Sequence, residues 1–287
     1  MRANQRSIMR SVTCCGVGVH SGKLTKITLK PAKPNTGIVF IRTDVCDDKS
    51  VVFASYKNVA STFMSTNISN QYQVEISTIE HLMAAIWGCG VDNLIIEIDG
   101  PEVPIMDGSS KTFVFMIQCS GIKDQPKAKK YIKIVKESML EYNDSKILAI
   151  PSESLEINME IDFQDKVIGK QSAKFSQKCS FNNDIAHART FGFIQDLDHL
   201  HDQGLALGAS LDNTIAIDKH NDLILNPEGL RDNNEFAKHK LLDFIGDISI
   251  DTSIIGTFYC NKTSHALNNE FMSKILKDSS SYKYVSL

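Results

Sequence analysis

The chain has 287 residues, with 31 Lys and Arg against 34 Asp and Glu and a formal net charge of −3. Its 42% apolar and 23% charged residues are those of an ordinary globular protein, which excludes a disordered chain. The near-neutral balance and the lack of any Lys/Arg stripe argue against nucleic-acid binding.

The start, Met1-Arg2-Ala3-Asn4-Gln5-Arg6, is basic but leads to Cys14-Cys15-Gly16 without the apolar core of a signal peptide. No later run approaches a membrane-spanning length, so a cytoplasmic protein without transmembrane segments is expected. Strands are expected at Lys26–Lys30, which alternates with period two, and at Gly37–Ile41, with turn chemistry between them. A helix is expected from Thr78 to about Trp87, capped by Ser77 or Thr78, with Glu80 and His81 in its first turn. Asn93–Ile98 reads as a strand and Ser110–Cys119 as a second helix. The polar, basic stretch Lys123–Lys130 reads as a linker between an N-terminal domain, 1–126, and a C-terminal domain, 127–287. Strands follow at Tyr131–Val135, Lys146–Ile150 and Leu155–Ile161. Helices follow near Asp196–Gln203 and Asn234–Ile248, then a strand at Ile254–Tyr259 and a closing helix at Glu270–Leu276. Both halves are sheet plus helices, an α+β class. The seven cysteines are odd in number and scattered, with no C-x-x-C pair, so they read as reduced structural thiols.

The segment His239-Lys240-Leu241-Leu242-Asp243-Phe244-Ile245-Gly246-Asp247 repeats polar groups at every helical turn. Residues at i and i+4 share a helix face with Cβ atoms ~5–6 Å apart, close enough for His239 and Asp243 to hold one metal ion. A third ligand would be His81, with the neighbouring Glu80 free to act as a base. Two His and one carboxylate with an open fourth position is the layout of a catalytic zinc site. Such a pair taken alone is more often a solvated contact or a helix cap than a metal site.

Seven blocks, in order, carry a family resemblance across nearly the whole chain. They are Gly16–Lys23, Asn35–Phe40, Ser77–Leu82, Asp99–Ser109, Ala188–Phe193, His239–Asp247 and His265–Asn269. Together they resemble the UDP-3-O-acyl-N-acetylglucosamine deacetylases of lipid A biosynthesis in Gram-negative bacteria. The resemblance implies two similar sheet-plus-helix domains packed through their helix layers, with the active site between them. It implies one zinc ion per chain on His81, His239 and Asp243, although Fe(II) suits the same donors. It implies a hydrolase that removes the N-acetyl group from UDP-3-O-(3-hydroxyacyl)-N-acetylglucosamine and releases acetate, in an early committed step of lipid A biosynthesis.

On this resemblance, Glu80 is the general base toward a water whose pKa the zinc lowers toward ~7. Thr190 and the zinc stabilise the oxyanion, His265 is the general acid, and Asp247 either orients His265 and keeps it cationic or supports the metal site from behind the ligands. Lys240 resembles the residue that meets the diphosphate or sugar. Phe163 and Phe191 would stack on the nucleotide or sugar, with core packing as the other reading of both rings. Leu205–Ser210 and Thr214–Ile217 resemble the acyl-chain passage, which places Leu207 and Ala216 among the substrate contacts. Asp232-Asn233-Asn234 and Asn67 depart from the family pattern near the sugar and acyl pockets without touching the ligands. The substrate is the only partner expected, and the protein is expected to be monomeric. A catalytically silent binding protein would have lost a ligand or the base, and a peptidase would more often show His-Glu-x-x-His on one helix.

Overall fold

The computed structural model describes every residue except Met1, Asp47, Gln177 and Leu287. Its helices are α1 (Glu80–Cys89), α2 (Lys111–Cys119), α3 (Leu197–Asp202), α4 (Glu235–Ile248) and α5 (His265–Lys277). The first half is built on a five-stranded sheet in the order Val12–Val17, Leu24–Pro31, Leu94–Ile98, Ile38–Arg42, Val51–Phe53. The second half is built on a seven-stranded sheet around Ile254–Asn261, which runs parallel to Leu155–Asp162 and antiparallel to Ser145–Ile150. The class is α+β, as the pattern of the sequence implies.

The two halves repeat one order of elements. In the first, Ile38–Arg42 leads through α1 to its parallel neighbour Leu94–Ile98 and on to α2. In the second, Leu155–Asp162 leads through α4 to its parallel neighbour Ile254–Asn261 and on to α5. Each half also carries an excursion between its first parallel strand and its first helix. The first excursion includes a three-stranded sheet at Val59–Ser61, Asn67–Ser69 and Glu75–Ile76. The second includes Phe191–Phe193, Ile215–Asp218 and Leu223–Ile224, together with α3. These excursions supply walls of the cavity described below.

Helices α1 and α4 pack on each other, and one apolar core runs through both halves. Residues Glu80–Ile86 of α1 are buried on every side, as suits a helix enclosed by its own sheet and by a second helix. The closest approach is at Gly246, where an added Cβ would lie 2.2 Å from the Glu80 carbonyl oxygen. A side chain there would have to push backbone aside. Gly246→Ala is therefore expected to destabilise the protein by about 1–3 kcal/mol, read as a lower Tm in thermal unfolding.

Three local expectations are corrected. Ser77 and Thr78 do not cap α1: their hydroxyls donate to Pro101 O at 3.1 Å and Glu102 Oε1 at 3.3 Å, and Ile79 occupies the cap position. The basic stretch at 123–130 is not a linker. Ile122–Ala128 is a strand antiparallel to Asn4–Ile8, and Lys129 is buried with its ammonium 2.6 Å from Asp92 Oδ1. Charge alone read as solvation here because the partner carboxylate and strand lie far away in sequence. The proposed division at 126/127 thus falls inside a strand paired with the N-terminal strand Asn4–Ile8. The last helix also starts earlier than its apolar periodicity suggests, at His265, because Ser264 caps it by accepting from Leu267 N at 3.3 Å.

Candidate active site

His81 lies in the first turn of α1, and His239 and Asp243 stand one turn apart on α4. The crossing of the two helices brings them together. Asp243 Oδ1 is 3.5 Å from His81 Nε2 and 3.4 Å from His239 Nε2, and the imidazole centroids are 5.0 Å apart at 87°. All three side chains are buried, and one ligand atom from each lies within 4.8 Å of the others.

The donor chemistry fits a divalent cation. His239 Nδ1 lies 3.2 Å from the Ala188 carbonyl oxygen. A carbonyl only accepts, so Nδ1 carries the proton and the Nε2 lone pair faces the site. Burial pushes the His239 pKa down to about 3, which keeps the ring neutral as a ligand must be. Burial opposes ionisation of Asp243, but the polar groups around it, the Lys240 ammonium among them, outweigh burial and hold the carboxyl well below the usual range. Its Oδ1 is buried without a hydrogen-bond partner, while Oδ2 accepts from Lys240 Nζ at 3.0 Å. An unsatisfied carboxylate oxygen facing two imidazole nitrogens is costly unless a cation completes it. The group can therefore bind a metal.

Around the three ligands stand the groups of acid–base chemistry. Glu80 is buried, and desolvation raises its pKa against the pull of His265 and His81. Its Oε2 accepts from Thr66 N at 2.9 Å. His265 Nδ1 meets Asp247 Oδ2 at 2.9 Å, and that oxygen also accepts from Asn268 Nδ2 at 2.8 Å. Asp247 Oδ1 accepts from Thr66 Oγ1 at 2.6 Å. Burial alone would lower the His265 pKa, but Asp247, with Glu80 and Asp243 beyond it, overrides burial and lifts it to about 9. One hydroxyl and one backbone N–H of Thr66 thus tie Glu80 and the Asp247–His265 pair into a single network.

While Asp247 lies behind His265 outside the lining, Glu80, His81, His239, Asp243 and His265 line a cavity of about 470 Å³ with Thr190, Phe191, Lys240 and Ala216. Its far wall is apolar, formed by Ile194, Leu197, Leu200, Ala206, Ala209 and Leu225. Lys240 Nζ lies over the Phe191 ring at 5.7 Å from its centroid. Two residues expected as substrate contacts lie outside this lining. Phe163 packs edge-on behind Phe191, with centroids 5.8 Å apart. Leu207 is half exposed, because its backbone N donates to His20 O at 3.0 Å and Gly208 N donates to Val19 O at 3.0 Å, pinning the segment so that Ala206 and Ala209 form the wall instead. An added Cβ at Gly208 would meet Gly18 O at 2.2 Å, so the small residue there serves close packing, whereas Ala206, Ala209 and Ala216 leave cavity space.

Sequence reasoning missed His20, which also lines the cavity. Its turn is held by Glu102, which accepts from His20 N and Ser21 N at 2.8 Å each. The glycines at 16, 18 and 22 around it were the available signal, since such bracketing marks a tight turn. Thr66 and Asn268 had no periodic signal at all.

The model of the family described as UDP-3-O-acyl N-acetylglycosamine deacetylase matches residues 5–277. A UDP-3-O-acyl-N-acetylglucosamine deacetylase of Histophilus somni (strain 129Pt) is 42% identical over 98% of this chain and 93% of its own length. Proteins of the same name from Haemophilus influenzae are similar: that of strain 86-028NP is 42% identical and that of strain PittEE 41%, each over 98% of this chain and 92% of its own. No helix among the described residues is long and apolar enough to cross a membrane. The helix crossing that gathers two imidazoles and a carboxylate beside a buried acid–base pair is thus carried by a chain that belongs to the UDP-3-O-acyl N-acetylglycosamine deacetylase family.

Proposed function

We propose that this protein is a zinc-dependent amidase that removes the acetyl group from UDP-3-O-(3-hydroxyacyl)-N-acetylglucosamine, as a cytoplasmic monomer at an early committed step of lipid A biosynthesis. The observation that carries the reading is the His81–His239–Asp243 group, with its orphan Oδ1, at the wall of a cavity that also holds Glu80 and His265. When bound, the ion supplies Lewis acidity that makes water a nucleophile near neutral pH.

The chain's own groups do the rest. Glu80 takes the proton of the attacking water; Thr66 N engages its Oε2, which leaves Oε1 for the transfer. Thr190 offers its hydroxyl to the oxyanion that forms as the amide carbon becomes tetrahedral. His265, held at Nδ1 by Asp247, delivers the Nε2 proton to the leaving nitrogen so that it departs as an amine. Acetate then leaves with the oxygen of water. Lys240 faces the cavity for the sugar or diphosphate, and Phe191 offers its half-buried ring to the sugar. Phe163 supports that ring, and the Leu197–Leu200–Ala206–Ala209–Ala216 wall suits a hydrocarbon chain.

The test measures metal content and acetate release from the UDP-sugar on one sample, before and after chelation, then after zinc or anaerobic Fe(II) is restored. One metal per chain with chelator-sensitive turnover is the expected result. Turnover that survives complete metal removal would overturn the metal-dependent reading, and hydrolysis of acetylated peptides with none of the UDP-sugar would replace it by a peptidase.

A further inference from the structure

Beside the candidate metal ligands lies an ion pair that the reaction above does not use. Arg189 is 2% exposed and Glu235 is fully buried. Glu235 Oε1 accepts from Arg189 N at 3.0 Å and from Arg189 Nε at 2.9 Å. Its Oε2 accepts from Arg231 N at 2.6 Å and Arg189 Nη2 at 3.2 Å. Burying two charges costs several kcal/mol per ion, and such a pair adds little net stability. Its geometry is what distinguishes it.

Arg189 N and Ala188 O belong to the same peptide group. The N–H end donates to Glu235, and the C=O end accepts from Nδ1 of His239. Glu235 and His239 stand four residues apart on α4, so one helix face clamps a single peptide plane at both ends. We propose that Glu235 is a positioning residue for the metal site, acting through the 188–189 peptide to hold His239 in its ligating orientation and tautomer. Metal-bound histidines commonly pass their second N–H to a carboxylate or a carbonyl. Here the carbonyl is the direct acceptor, and a carboxylate on the far side of its amide polarises it, since hydrogen bonds in series strengthen one another at low dielectric. The same clamp fixes Thr190, the next residue, whose N donates to Gly108 O at 2.8 Å.

This inference rests on the metal-dependent reading. Its test is the zinc dissociation constant, measured by competition with a chromogenic chelator, beside Tm and the Nδ1–H NMR signal of His239 in metal-free protein. Glu235→Gln keeps an acceptor for the amide but removes the charge, and is expected to weaken zinc binding ~10–100-fold. Because Arg189 then keeps only the exposed Glu228, 2.6 Å from its Nη1, as counter-charge and Tm will fall, Arg189→Met combined with Glu235→Gln removes both buried charges at similar volume. That double variant is expected to recover Tm while zinc affinity stays reduced and the His239 signal stays shifted. Zinc affinity that recovers along with Tm, or that is unchanged in Glu235→Gln, overturns the relay and makes the pair packing alone. An unaltered protein that binds no zinc overturns the metal reading and the relay with it, whereas zinc binding without deacetylation removes only the substrate.

Discussion

Glu80→Gln is expected to bind its metal normally and to lose turnover by roughly 10²–10⁴-fold, the usual contribution of a positioned base. The neighbouring variant His81→Ala is expected to lose the metal itself. The two residues are adjacent on α1, yet their surroundings separate them. His81 Nε2 faces Asp243 and His239, so its removal leaves two ligands and an open site. Glu80 faces Thr66 and the acid network, and glutamine preserves the hydrogen bond from Thr66 N while abolishing the capacity to take a proton. Desolvation, which raises the Glu80 pKa, strengthens it as a base near neutral pH. Metal content and kcat measured on both variants decide the point. Glu80→Gln with unaltered kcat would remove Glu80 from the base role, and Glu80→Gln without metal would make it a ligand.

The legible part of this molecule was that written in local periodicity. The stripe at 239, 243 and 247 is visible because α4 is long and places polar groups where a buried helix should be apolar. The strands Lys26–Lys30 and Asn93–Ile98 were visible in alternation and in a β-branched apolar run, and both are strands. What stayed hidden depends on long-range pairing. Asp92 makes Lys129 a buried residue from 37 positions upstream, and Asn4–Ile8 makes 122–128 a strand across more than a hundred positions of chain. The positive φ of 59° at Thr78, which redirects its hydroxyl to Glu102, leaves no trace in a threonine codon of the pattern, where a capping residue looked natural. The outward turn of Leu207 has the same origin, in backbone bonds to the 18–22 turn. Likewise, the peptide that links Glu235 to His239 is invisible in one dimension, because its residues are some fifty positions upstream.

His265→Ala is expected to lower kcat by ~10²–10⁴-fold with metal content unchanged, because the leaving nitrogen must gain a proton to depart. The pH dependence tests the role more sharply. The folded-state pKa of His265 is lifted from 6.5 to about 9, so the ring is cationic at neutral pH and loses its proton only as pH rises through about 9. The free-enzyme profile of kcat/KM is therefore expected to fall on its alkaline side in that region. The stabilisation that accompanies the raised pKa has the same sense: it is fully present below pH 6.5 and is lost as pH climbs through about 9. Asp247 is the largest of the attractive causes, through its carboxylate at 2.9 Å from Nδ1. Asp247→Asn keeps an acceptor for Nδ1 and removes the charge, while burial continues to press the pKa down. The alkaline fall of kcat/KM is then expected to move to lower pH, with Glu80 and Asp243 still holding part of the elevation. An alkaline limb that stays in place in Asp247→Asn and persists in His265→Ala would belong to another group, and the acid would have to be sought among the remaining protonated side chains of the cavity, Lys240 first.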